Sequence, residues 1–157
     1  MVGKLKMWWQ RPFPIVMWAC GLFIGLTVLG MFFYPGGTWA DPTTQGYRFF
    51  QNFFSDLGMW TTASGQANPV AATLFLFALT CAGLGLVLFF LTFPRFFAAP
   101  GWLTWLSWLG AAIGVWSGIS FIGIAFTPAD IFLNAHVNFV YSAFLSALLS
   151  KFVSKHS

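Results

Sequence analysis

Residues 69–93 read PVAATLFLFALTCAGLGLVLFFLTF and contain no charged side chain. An α-helix rises about 1.5 Å per residue, so about 20 apolar residues cross the roughly 30 Å hydrocarbon core of a bilayer. Pro69 suits a first helical turn, and Pro94 ends the stretch. The segment therefore predicts a transmembrane helix.

Three further stretches have the length and composition of a span, at about residues 15–34, 102–126 and 131–153. None alternates in the manner of a barrel strand, so helices are the spanning form. Of the 157 residues, 59% are hydrophobic and 6% charged, whereas soluble domains carry roughly 25% charged residues. Residues 1–157 are therefore predicted to form a single all-α domain, an integral membrane four-helix bundle.

The distribution of charge predicts the orientation of the bundle. Basic residues concentrate in cytoplasmic loops of membrane proteins. All three acids, Asp41, Asp56 and Asp130, fall on the side opposite to most basic residues, which predicts cytoplasmic termini. The net charge is +4, but the basic residues are few and scattered among apolar runs, so no nucleic-acid partner is predicted. The basic residues assigned to the cytoplasm are Lys4, Lys6, Arg11, Arg95, Lys151 and Lys155, and Arg48 is assigned to the outer side.

The long connection between the first two spans has an amphipathic pattern over about residues 44–58. At about 100° per residue, its polar and apolar side chains separate onto two faces. This predicts a short helix in the outer membrane interface that ends at Gly58. The polar face either meets water or turns toward the outer mouth of the bundle. It holds Arg48, Gln51, Asn52, Ser55 and Asp56, and the apolar face holds Phe49, Phe50, Phe53, Phe54 and Leu57.

The fourth span opens with Asp130, a suitable residue for a helix start, and is unusually polar. The same angular spacing places Asn134, Asn138, Tyr141 and Ser142 on one face and His136 on another. Polar side chains inside a membrane either serve a functional site or hydrogen-bond neighbouring helices. Both interpretations remain open from the sequence.

Small residues indicate where helices approach closely. Gly110, Gly114 and Gly118 follow one another at four-residue spacing in the third span. Such a stripe favours a tight contact, either within the chain or between copies in a homo-oligomer. Cys20 and Cys81 lie in apolar stretches, which predicts free packing residues instead of a disulfide or a thiolate metal site.

Two motifs resemble a bacterial membrane-protein family, domain of unknown function nine-nine-eight, itself similar to the Frag/DRAM/Sfk group of membrane proteins. The first is NFFSDLG at residues 52–58, and the second is GISFIGIAFTPAD at residues 118–130, followed by Asn134 and His136. The resemblance implies a location in the bacterial plasma membrane but no established reaction. The family has six spans, so a four-span chain is expected to be a shortened or truncated member whose open flank a second copy would close. The signature positions are Asn52, Ser55, Asp56, Gly58, Pro128, Asp130 and His136.

The first functional hypothesis is binding of a lipid head group or small ligand at the outer mouth of the bundle. Arg48 is the basic residue available there to pair with a phosphate. Membrane lipids are thus the predicted partners. The predicted ligand-binding residues are Arg48, Asn52, Ser55, Asp56, Asp130 and His136.

The alternative is an outer-leaflet lipid hydrolase or a metal-dependent membrane enzyme. Asp56, Asp130 and His136 would be the metal ligands, or Ser55 would be a nucleophile served by His136 and an aspartate. A transporter or channel fits less well, since no span is visibly broken at mid-depth. No cofactor is predicted: haem would need a second histidine in the membrane, and His156 falls in the cytoplasmic tail.

Overall fold

The computed structural model describes residues 12–96 and 101–155, with side chains from 13–95 and 101–145. Lys4, Lys6, Arg11 and His156 lie outside the described residues. The helices are α1 (Pro12–Phe33), α2 (Pro69–Thr92), α3 (Trp102–Phe126) and α4 (Leu133–Lys155), with short 3₁₀ helices at Phe54–Gly58 and Phe93–Phe96.

Three of these helices are long and apolar enough to cross a membrane: Phe13–Phe33, Pro69–Arg95 and Trp102–Phe126. The described part of the chain is therefore all-helical, and its long apolar helices fit a membrane protein. Helix α4 has 23 residues, a length that also suits a span. Its crossing of the bilayer stays a prediction, as does the orientation of the termini.

Consecutive helices pack antiparallel in a row. A Cβ on Gly85 in α2 would lie 2.7 Å from Ala19 in α1, and a Cβ on Gly123 in α3 would lie 2.5 Å from the ring of Phe139 in α4. Within the described residues, the extensive helix contacts are those between neighbours in the sequence, α1 with α2, α2 with α3 and α3 with α4. Helices α1 and α4 therefore lie at the two ends of the row, and a closed four-helix bundle is not confirmed.

The glycines of α3 serve a contact within the chain. A Cβ on Gly118 would lie 2.8 Å from the carbonyl oxygen of Gly83 in α2, and Gly114 faces the ring of Phe90. Gly110 is buried, but a Cβ there would meet nothing within 4 Å. Two of the three stripe positions thus let α2 and α3 approach each other. Association between copies stays a prediction.

Serine hydroxyls join α3 to α4. Trp116 Nε1 donates to Ser142 Oγ at 2.7 Å, and Ser120 Oγ donates to the same oxygen at 3.1 Å. Ser117 Oγ donates to the carbonyl oxygen of Ala143 at 3.0 Å. At Ser142, the polar face of α4 therefore holds the helices together. Asn134, Asn138 and Tyr141 are exposed.

The connections at one end of the helices form a packed structure that we call the cap: residues 34–68 together with residues 127–132. Leu57, in the 3₁₀ helix of the cap, is fully buried in a cluster with Phe75 of α2 and Ile124 of α3. A Cβ on Gly58 would lie 2.7 Å from the Phe75 ring, so glycine lets the cap sit close to α2. The cap thus extends the hydrophobic core beyond the helices.

The predicted amphipathic helix over 44–58 is not formed. The amides of Gln51 and Asn52 both donate to the carbonyl oxygen of Arg48 and make a turn, and the helical geometry that follows is the 3₁₀ helix Phe54–Gly58. Asn52 Oδ1 accepts from the Arg48 amide at 2.9 Å, and Asp56 Oδ2 accepts from the Phe53 amide at 2.9 Å. Such side-chain bonds to the local backbone compete with a regular helix.

Candidate functional site

Asp56 lies at the centre of the cap, where it is 2% exposed. Its Oδ2 accepts from Asn52 Nδ2 at 3.0 Å and from the Phe53 amide at 2.9 Å, while Oδ1 accepts from Trp39 Nε1 at 3.3 Å. Among the described residues, no cation lies within salt-bridge distance of this carboxylate. Hydrogen-bond donors therefore stabilise the buried acid.

Asn52 and Gly37 connect Asp56 to the start of the cap. Asn52 Nδ2 donates to the carbonyl oxygen of Gly37 at 2.9 Å, and Tyr34 Oη donates to the same oxygen at 3.2 Å. Gly37 has a φ of 90°, a conformation that glycine adopts most easily. The predicted ligand residues Asn52 and Asp56 are thus brought together, but their polar atoms are used in hydrogen bonds within the cap.

Asp130 joins the two parts of the cap. Its Oδ2 accepts from the backbone amides of Trp60 at 3.1 Å and Thr61 at 2.9 Å, about 70 residues away in sequence. This contact places the α3–α4 connection at the same end of the molecule as the first connection, as the sequence predicts. Asp130 also lines a shallow groove of about 470 Å³ beside Trp39 and Trp60.

His136 fastens the start of α4 to the end of α3. The ring is 5% exposed, and Nδ1 lies 2.6 Å from the carbonyl oxygen of Thr127. A carbonyl only accepts, so Nδ1 carries the hydrogen. The other ring nitrogen, Nε2, is buried without a hydrogen-bond partner among the described residues. The imidazole therefore closes the Thr127–Pro128 turn.

The residues of the catalytic alternative do not converge. Asp56 binds donors near Trp39, Asp130 binds the Trp60 and Thr61 amides, and His136 binds Thr127. Over residues 12–96 and 101–155, no three His, Cys, Asp or Glu side chains are grouped to hold a metal ion. No hydrogen bond joins Ser55 to His136 in the same part of the chain. The geometry therefore favours neither a metal site nor a serine nucleophile here.

Asn68 is a structural residue that the sequence analysis does not identify. It is 1% exposed, and its Nδ2 donates to the carbonyl oxygens of Leu57 at 3.2 Å and Met59 at 2.9 Å. Asn68 Oδ1 is buried without a partner among the described residues. Its signal in the sequence is its position directly before Pro69, where the chain turns into α2.

Arg48 is a predicted site residue whose side chain remains available. It is exposed, and within the described residues neither a hydrogen bond nor a salt bridge involves its guanidinium. It lines an open groove of about 600 Å³ on the surface of the cap, which we call the Arg48 groove. The lining residues are Thr38, Ala40, Asp41, Thr44, Arg48, Phe49, Phe50 and Gln51.

The shifted pKa values in the cap involve two of its three acids, Asp41 and Asp56. Hydrogen bonds from the Thr43 side chain and backbone lower the pKa of the exposed Asp41, so its carboxylate is ionised at neutral pH. Burial and then the charge of Asp56 raise the pKa of Tyr34 and of Tyr47 above the ordinary value of 10.0. Both phenols therefore stay neutral and are able to donate hydrogen bonds.

Comparisons of the chain with protein-family models, with curated proteins and with solved structures find no match. The resemblance to the bacterial family of unknown function therefore stays a prediction from its short motifs. The function proposed below is therefore based on the geometry of the cap.

Proposed function

We propose that this membrane protein binds the phosphate-bearing head group of a phospholipid in the Arg48 groove. The observation that carries the proposal is the exposed Arg48 guanidinium, which lines the groove and has no hydrogen bond or ion pair within the described part of the chain. A guanidinium presents paired N–H donors that match two phosphate oxygens. Such an arginine is a suitable first contact for a phosphate.

The apolar neighbours of Arg48 favour a lipid over a soluble phosphate. Phe49 is 66% exposed and Phe50 is 96% exposed, and both line the same groove. Exposed adjacent aromatic residues are costly in water but suit the boundary between head groups and acyl chains. Burying one such ring contributes about 1.5–3 kcal/mol. The groove thus offers a charged contact beside an apolar one, as a phospholipid does.

The proposal places the cap at the outer surface of a bacterial plasma membrane, with both termini in the cytoplasm. It is supported by the charge bias, since all three acids lie in the cap, and by the three membrane-length helices. A Gln66→Cys variant tests it, because Gln66 is exposed in the cap. A membrane-impermeant maleimide should label intact cells. Labelling only after lysis would show that the cap faces the cytoplasm, which is the opposite orientation.

The binding experiment uses native mass spectrometry of the full chain in mild detergent with added short-chain phosphatidylethanolamine. Arg48→Ala should weaken lipid binding about fivefold to tenfold, since a hydrogen bond to a charged group contributes roughly 1 kcal/mol or more at an exposed position. Arg48→Lys keeps the charge without the paired donors and should have an intermediate effect.

Arg95 provides the matched control. It is an exposed arginine in the 3₁₀ helix Phe93–Phe96, at the end of α2 opposite to the cap. Arg95→Ala makes the same change in charge and should leave lipid binding unchanged. Equal binding by the Arg48→Ala and Arg95→Ala variants would overturn the proposal.

A further inference from the structure

We infer that the Arg48 groove selects a zwitterionic phospholipid, whose phosphate binds Arg48 and whose ammonium group binds Asp41. The inference rests on the proposed function and names the class of lipid. Asp41 and Arg48 line the same groove and carry opposite charges. Among the described residues they form no salt bridge with each other, so each charge remains available to a ligand.

The backbone of Asp41 is held in position by two threonine hydroxyls. Thr38 Oγ1 donates to the Asp41 carbonyl oxygen at 3.2 Å and accepts from the Asp41 amide at 2.9 Å. Thr44 Oγ1 donates to the same carbonyl oxygen at 3.1 Å. Because both threonines also line the groove, the turn that carries the acid is part of the groove wall. A fixed turn lowers the entropic cost of binding.

The carboxylate of Asp41 has one oxygen occupied and one available. Oδ1 accepts from the Thr43 amide at 2.9 Å and from Thr43 Oγ1 at 2.6 Å, whereas no hydrogen bond within the described residues involves Oδ2. An ammonium group can donate to this second oxygen without disturbing the turn. The acid is exposed, so water and a lipid head group both reach it.

The charge pattern discriminates between lipid classes. Phosphatidylethanolamine carries a phosphate and an ammonium joined by an ethylene link, which matches one cation and one anion in the same groove. Phosphatidylglycerol offers the phosphate alone and leaves Asp41 facing a negative head group. Like charges in proximity are unfavourable, which gives selectivity by repulsion as well as by attraction.

The test measures which lipid the protein retains from nanodiscs with equal amounts of phosphatidylethanolamine and phosphatidylglycerol of matched acyl chains. The wild type should enrich phosphatidylethanolamine about threefold to fivefold, the effect expected of one exposed ion pair. Asp41→Asn keeps an oxygen for Thr43 but removes the charge, and it should bring the ratio close to one. Asp130→Asn removes a charge from the cap outside the groove and should leave the ratio unchanged.

The outcomes separate the two proposals. Loss of bound lipid in Arg48→Ala with an unchanged lipid ratio in Asp41→Asn would overturn the selectivity and leave phosphate binding in place. No effect of Arg48→Ala on bound lipid would overturn both. A third arm adds glycerophosphoethanolamine, which has the head group without acyl chains. Displacement of the lipid at equal concentration would show a soluble ligand and overturn the assignment to a lipid. Unchanged tryptophan fluorescence of each variant checks that the cap has kept its fold.

Discussion

Replacing Asp56 with alanine should release the cap while leaving the helices intact. The buried carboxylate accepts from Trp39, Asn52 and Phe53, so alanine removes the acceptor of all three donors. Because Trp39 is 62% exposed, water can replace the acceptor that its indole N–H loses, so we count the cost of the other two donors only. A hydrogen bond to a charged group contributes about 1.5–3 kcal/mol, so the loss is about 3 kcal/mol or more.

Amide hydrogen exchange, measured by mass spectrometry with the protein in nanodiscs, measures this loss of cap stability directly. Local opening sets the exchange rate of protected amides, and each 1.4 kcal/mol is about a tenfold change. Asp56→Ala should therefore speed exchange about a hundredfold at cap amides such as Met59 and Asn68, which donate to backbone carbonyls. The amides in the middle of α2 should exchange at the wild-type rate.

Asp56→Asn is the control with a nearly identical shape. Its oxygen can accept from Asn52 and Phe53, but its amide group then faces the Trp39 N–H, so one contact becomes unfavourable. Exchange in the cap should rise less than tenfold, and adding Trp39→Phe should reverse most of that rise. Cap amides of Asp56→Ala that exchange within threefold of the wild-type rate would refute this role of the buried carboxylate.

Three other perturbations follow from the same structure. Gly83→Ala places a Cβ 2.6 Å from the Gly118 carbonyl oxygen and should lower the free energy of unfolding in detergent by about 1–3 kcal/mol. Gly110→Ala places a Cβ that meets nothing within 4 Å, and it should change this free energy by less than about 0.5 kcal/mol. Equal unfolding free energies of the two variants would contradict the α2–α3 packing. Asp130→Ala should speed exchange of the Trp60 and Thr61 amides about tenfold without affecting the Gly37 amide, and uniform protection would show that this link is dispensable. The folded state raises the pKa of Tyr34, so the contribution of its phenol to stability is fully present below pH 10.0 and declines as the pH rises above that value. Exchange in the cap should then accelerate, and Tyr34→Phe should remove that part of the pH dependence. An identical alkaline profile in both proteins would contradict this role of Tyr34.

The helices could be predicted from the sequence because their signals are local. The predicted start of α2 and both predicted bounds of α3 agree with the structure, since Pro69, Gly101 and Pro128 flank long apolar runs. The predicted α4 begins at residue 131, two residues before the observed start at Leu133. Length, apolarity and a helix-breaking neighbour suffice for such elements.

The cap could not be predicted in the same way, because its contacts depend on distant backbone groups. The 100° pattern over residues 44–58 assumes a continuous helix, and it carries no information on whether Asn52 and Asp56 bond to nearby backbone amides instead of facing water. The role of Asn68 does not follow from the sequence, because its partners are the carbonyl oxygens of Leu57 and Met59. Backbone acceptors leave no pattern in the sequence.

The link from Asp130 to the Trp60 and Thr61 amides has a consequence for biogenesis. The carboxylate lies 70 residues after the first of these amides, so at about 5–20 residues per second a ribosome supplies it about 3.5 to 14 seconds later. During that interval the first part of the cap exists without its last acceptor. A complete cap therefore requires that the chain has been translated past α3, and a nascent chain halted earlier would lack the bonds from the Trp60 and Thr61 amides to Asp130.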